Sequence, residues 1–133
     1  SGLSLFTGVL DGVFGFWNLP QEKRQFYIDR LYKALVELQL RFHDDWINGR
    51  IDKERVMIIK YDRMMSDFEG LMDDIIPFLE HDASNELLAE IKKTAEGQRN
   101  YKSKHKYDLE KFGLSEEKIR RDCAKIYETF LND

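Results

Sequence analysis

Apolar residues recur at helical spacing through most of this chain. The longest stripe runs through Ile28, Leu31, Leu35, Leu38, Phe42 and Trp46, and Tyr32, Val36 and Leu40 widen it. Such positions share one face of a 3.6-residue repeat. Asn18 offers a cap, Pro20 suits a first turn, Gln21 stands three residues after the cap, and Gly49 follows the last periodic positions. The pattern therefore predicts a helix from about Asn18 to about Asn48, roughly 40 Å long at 1.5 Å per residue. A stripe this wide needs partners on more than one side.

The period changes at Val56-Met57-Ile58-Ile59, a continuous apolar run ending in Lys60-Tyr61-Asp62. Short, branched and bounded by charge, it reads as a single β-strand near residues 55–61, buried on both faces. No second convincing strand follows. A lone strand leaves its backbone groups without partners, so its sheet belongs to other sequence, or two copies of the chain pair here.

Helical spacing then resumes. Ser66-Asp67-Phe68-Glu69 has the form of a capping box opening a helix with Phe68, Leu71, Met72, Ile75, Ile76 and Leu79, which Pro77 should kink or close. Ser84 caps a helix with Leu87, Leu88 and Ile91 on one face, stopping near Gly97. Residues 98–108 have no helical period. Ser115, with Glu116 and Glu117 in the first turn, starts a last helix whose stripe is Ile119, Cys123, Ile126, Tyr127 and Phe130. Cys123 within that stripe reads as a buried structural thiol rather than a nucleophile.

Residues 1–17 stand apart from residues 18–133. They are apolar but carry Gly2, Gly8, Gly12 and Gly15, with Asp11 in the middle. A signal peptide would begin with basic residues, and a membrane span needs about 20 apolar residues without a central acid. The segment is expected to pack loosely against protein, and it suggests that its usual neighbours have been removed.

Composition narrows the rest. The 133 residues suffice for one modest core, and a net charge of −4 gives no overall attraction to nucleic acid or acidic lipid. The single cysteine makes no internal disulfide and leans toward the cytoplasm, with a Golgi lumen as the alternative. His43, His81 and His105 share no ligand spacing, so no metal is expected. There is no nucleophile elbow and no phosphate loop: Gly8 and Gly12 are followed by Val13 and Phe14, not by lysine and serine. The acid pairs Asp44-Asp45 and Asp73-Asp74 read as solvated surface rather than acid–base machinery.

One cluster departs from the acidic background. Arg99, Lys102, Lys104 and Lys106 fall within eight residues, with His105 among them. If extended, the run points Lys102, Lys104 and Lys106 to one side and Tyr101, Ser103, His105 and Tyr107 to the other. Point charges and hydroxyl donors suit phosphate or sulfate. A solvated basic loop that balances nearby acids is the other reading.

The order of these pieces resembles the PAPS-dependent sulfotransferases. Val56–Asp62 looks like a late strand of that family, followed by a capped helix and the pair Phe78-Leu79. The run from Arg99 to Ser115 is similar to the tail Y-x-S-x-H-x-Y-x-L-x-x-F-G-L-S/T of one broad branch. The likeness covers residues 55–131, and residues 19–54 by position and helical character. It implies transfer of a sulfuryl group from PAPS to an acceptor hydroxyl or amine, on an α/β fold with a central parallel sheet. This chain would be the mainly α, C-terminal portion of that fold. The family's loop for the 5′-phosphosulfate, its Arg…Ser element for the 3′-phosphate and its catalytic base precede this region. No catalytic residue is carried over, and the piece alone is expected to be inactive. The tail implies that Arg99, Tyr101, Lys102, Ser103 and His105 contact the nucleotide near its 3′-phosphate. Phe6, Phe14, Phe16 and Trp17 would line an acceptor pocket or pack on the sheet, the acceptor being a small molecule or glycan.

Two other readings stay open at this point. One is a helical module that binds a partner protein. The other is a homodimer formed through the strand or the N-terminal apolar segment, without ligand.

Overall fold

The structure, a computed structural model, describes residues 1–100 and 108–132. The helices in chain order are α1 (Gly2–Phe14), α2 (Gln21–Ile47), α3 (Tyr61–Ser66), α4 (Phe68–Phe78), α5 (Asn85–Arg99), α6 (Glu116–Asp122) and α7 (Ala124–Ile126). A π-helical turn, Tyr127–Leu131, follows α7. Short 3₁₀ turns stand at Phe16–Asn18, Lys53–Arg55 and Glu110–Phe112. The chain is mainly α, as expected, and no strand occurs among the described residues.

The strand expected near residues 55–61 does not form: residues 56–60 are non-helical chain between the Lys53–Arg55 turn and α3. Val56 and Lys60 have extended backbone, but the described residues offer no neighbouring strand to pair with. Ile58 and Ile59 are 40% and 44% exposed rather than buried on both faces. Extended backbone without a ladder is what β-branched sequence gives when no other strand completes its hydrogen bonds.

The described residues gather into two compact units, one within Ser1–Ile51 and His105–Asp133, the other within Asp52–Lys104. In the first, α1 packs on α2, and α7 packs on α2. Leu3, Phe16, Ile28 and Phe112 form the core, with Leu10, Trp17, Leu31, Leu35 and Leu114 against it. The 1–17 segment buries Leu3, Thr7 and Phe16. It forms a 13-residue helix whose Gly2 comes so close to Leu35 that a Cβ there would lie 3.0 Å from it. Burial of Leu3 and Thr7 offsets part of the cost of helical glycine, roughly 1 kcal/mol each. Its midpoint acid is used: Asp11 Oδ1 accepts the Trp17 amide at 3.0 Å. Leu5, Val9, Val13 and Phe14 remain exposed, and no described helix is long and apolar enough to cross a membrane.

One boundary of α2 differs from the sequence expectation. The helix starts after Pro20, because Asn18 is already used in the Phe16–Asn18 turn. Its other end follows the expectation: Gly49 has φ 67, and the Arg50 amide donates back to Asp45 O at 2.9 Å. That is a Schellman closure, which favours glycine at the left-handed position. Near this end Phe130 meets Phe42 and Trp46 at ring distances of 5.6 and 5.5 Å. His43 Nε2 and Thr129 Oγ1 are 2.9 Å apart. These contacts fix the C-terminal turn to α2.

In the second unit α3, α4 and α5 pack on one another around Leu71 and Ala95, both buried. Ser84 caps α5 as expected, its Oγ accepting the Leu87 amide at 3.2 Å. The helix runs past Gly97, the expected stop, to Arg99. Pro77 closes α4 one residue from its end.

Candidate functional site

The start of α4 is shifted by one residue from the capping box seen in the sequence. Ser66 is the last residue of α3, so Asp67 becomes the cap, its Oδ1 accepting the Gly70 amide at 3.2 Å. Glu69 then has no role in capping and reaches across the unit. Its carboxylate pairs with the Arg99 guanidinium in the last turn of α5. Arg99 also sits where a helix C-terminus favours positive charge. Both side chains stay open to solvent, Arg99 at 67% and Glu69 at 42%. A cavity of about 60 Å³ adjoins the pair, lined by Met65, Ser66, Asp67, Phe68, Ala95 and Gln98 among others. Gln98 Oε1 is buried there without a hydrogen-bond partner among the described residues.

Of the residues the sequence singled out for nucleotide contact, the structure places Arg99. Tyr101, Lys102, Ser103 and His105 lie outside the described residues. What sequence reading missed is Glu69. It stands 30 positions from Arg99, and no local pattern joins the two.

A second polar cluster ties α2 to α6. Tyr32 donates its hydroxyl to Asp122 Oδ2 at 2.9 Å, and Lys118 Nζ donates to the same oxygen at 2.8 Å. Lys118 also lies 4.7 Å from the centre of the Tyr32 ring. The Lys118 and Tyr32 hydrogen bonds hold Asp122 down at about 2. Burial, then the Asp122 bond and charge, push Tyr32 up to about 12. Asp122 therefore stabilises the fold above the ordinary carboxylate range, and that contribution disappears as pH falls toward 2. Tyr32 contributes below its ordinary pKa of 10.0 and loses its contribution as pH rises through 12. Thermal melts of the wild-type chain should show both limbs, and Asp122→Asn should flatten the acid one. An acid limb of unchanged steepness in that variant would count against this assignment.

Cys123 is partly buried beside this cluster. Burial and the Asp122 charge raise its thiol above the ordinary range, which disfavours the thiolate a nucleophile needs and agrees with a structural role. It helps line an apolar cavity of about 380 Å³ with Leu3, Tyr32, Leu35, Phe112 and Ile119. The acid pairs are put to use as ion-pair partners: Asp44 and Asp45 both bind Arg50, at 3.2 and 2.7 Å, and Asp74 binds Arg63. No group of three or more acid, histidine or cysteine side chains suited to a metal occurs among the described residues.

Comparison with curated proteins found no match, and comparison with solved structures found none. The family model for the sulfotransferase domain matches residues 22–125, well over half of the chain. It spans α2 through α6 and includes both Arg99 and Glu69, and the chain belongs to the sulfotransferase domain family.

Proposed function

We propose that this chain is the helical, C-terminal portion of a sulfotransferase that takes its sulfuryl group from PAPS, and that the run beginning at Arg99 holds the nucleotide near its 3′-phosphate. In the reaction an acceptor oxygen or nitrogen bonds to sulfur, the sulfur–oxygen bond to the 5′-phosphate breaks, and PAP leaves. The acceptor's proton passes to a base. The acceptor is a small molecule or glycan; a chain of net charge −4 is not suited to nucleic acid.

The observation that carries this reading is the basic, hydroxyl-bearing run from Arg99 to Tyr107, entered from the C-terminal end of α5. Arginine offers a planar fork of donors, lysine a mobile charge, and tyrosine and serine hydroxyl donors, the set a phosphate dianion needs. The role given to these residues is binding, not bond-making. The sequence contains no glycine-rich phosphate loop to stabilise charge on the transferred group, so the chain by itself is expected to bind PAP without turning PAPS over.

Calorimetry of PAP with the 133-residue chain tests this. Arg99→Ala and Lys102→Ala should each weaken binding about 10- to 150-fold, the range for hydrogen bonds to charged groups. Equal affinity in wild type and both variants would refute the assignment of this run.

A further inference from the structure

We infer that Glu69 is a built-in competitor for the nucleotide phosphate: its carboxylate occupies the Arg99 guanidinium and thereby sets how tightly that arginine binds a phosphate. The inference rests on the phosphate role proposed for Arg99. Glu69 touches no substrate in this account; it is a positioning residue that acts through Arg99.

Three features lead here. Glu69 and Arg99 face each other from the first turn of α4 and the last turn of α5, so the pair depends on helix packing and not on a local turn. The cap of α4 is supplied by Asp67, so Glu69 makes no capping hydrogen bond, and its charge favours the helix N-terminus whichever cation it faces. Both partners are largely solvent-exposed, and an exposed pair is weak, because water and salt screen it. A carboxylate bearing one charge at that strength positions the guanidinium and yields it to a phosphate dianion, which brings more charge and three acceptor oxygens. The pair therefore holds the Arg99 guanidinium against the first turn of α4 when no anion is present, at the expense of some affinity when one arrives.

Removing the competitor should strengthen binding. Glu69→Gln keeps the side-chain volume and deletes the charge, and it should tighten PAP binding in calorimetry about two- to fivefold at low salt, the range an exposed pair allows. Glu69→Asp, one methylene shorter, should fall between. In an Arg99→Ala background the Glu69→Gln change should have no effect, because the competition passes through Arg99. A general loss of negative charge would instead tighten binding in both backgrounds, and that result would overturn the inference. So would an unchanged affinity in Glu69→Gln alone, while Arg99→Ala still weakens binding; the phosphate role of Arg99 would then stand. If the wild-type chain binds no PAP, or Arg99→Ala leaves binding unaltered, both the phosphate role and the inference fall.

Discussion

Phe16→Ala is expected to cost about 3–5 kcal/mol, the range for truncating a fully enclosed aromatic side chain. Phe16 is only 2% exposed. Its ring meets Trp17 edge-on at 5.1 Å and Tyr27 at 6.5 Å, and it belongs to the same core as Leu3, Ile28 and Phe112. The site has little freedom to collapse, because the chain on either side is fixed. Gly15 takes the left-handed conformation at the end of α1, and the Trp17 carbonyl accepts from Arg24 NH1 at 2.7 Å. Set against a total of about 5–15 kcal/mol for a domain, such a loss would remove a large fraction of the stability of the first unit. Urea denaturation followed by tryptophan fluorescence reads this directly, since Trp17 and Trp46 both lie in that unit. A loss below about 1 kcal/mol would show that the cluster is not the core described here.

Leu71→Ala is expected to have the next largest effect, about 2–5 kcal/mol. Leu71 is 2% exposed and, with Ala95, makes up the buried apolar core of the second unit among the described residues. So small a core has little to replace it. Met72, Ile75 and Ile91 are only half-buried, and Leu79 and Leu88 lie open to water. The substitution should remove protection from backbone amides of α4 and α5 in hydrogen exchange. Persistence of slow exchange in those helices would show that the unit is held by something other than Leu71.

Helix starts were legible where the signal is local and uncontested. Ser84 and Ser115 cap α5 and α6 because each oxygen needs only the amide three residues on. The start of α4 was harder, since Ser66 and Asp67 both qualify chemically. The choice falls to Asp67 because α3 already uses Ser66, and α3 itself carries no cap that the sequence could announce. Gly97 misled for a related reason. Glycine is a common stop but also a tolerated helical residue at a modest cost, and here α5 continues to Arg99.

The run at Val56–Ile59 shows a different limit. Branched side chains favour extended backbone, and Val56 and Lys60 are extended, but a ladder requires a second strand that local pattern cannot supply. The candidate site was legible only on one side. Charge density pointed to Arg99 and its neighbours, whereas Glu69 was disguised as part of a capping motif and became visible only through the packing of α4 on α5.

The unit built around Phe16 is discontinuous, drawing on chain from before and after the stretch 52–104. That layout imposes an order of assembly during synthesis. Leu3, Phe16 and Ile28 leave the ribosome before residues 52–104, but Phe112, which completes their cluster, arrives only after the whole of the intervening unit. The entropy of closing so long a loop rises only slowly with its length, so the delay is one of time more than of free energy. Until it ends, the nascent N-terminal helices present an unfinished apolar face, a stage at which a chaperone or the remainder of a growing polypeptide would find them.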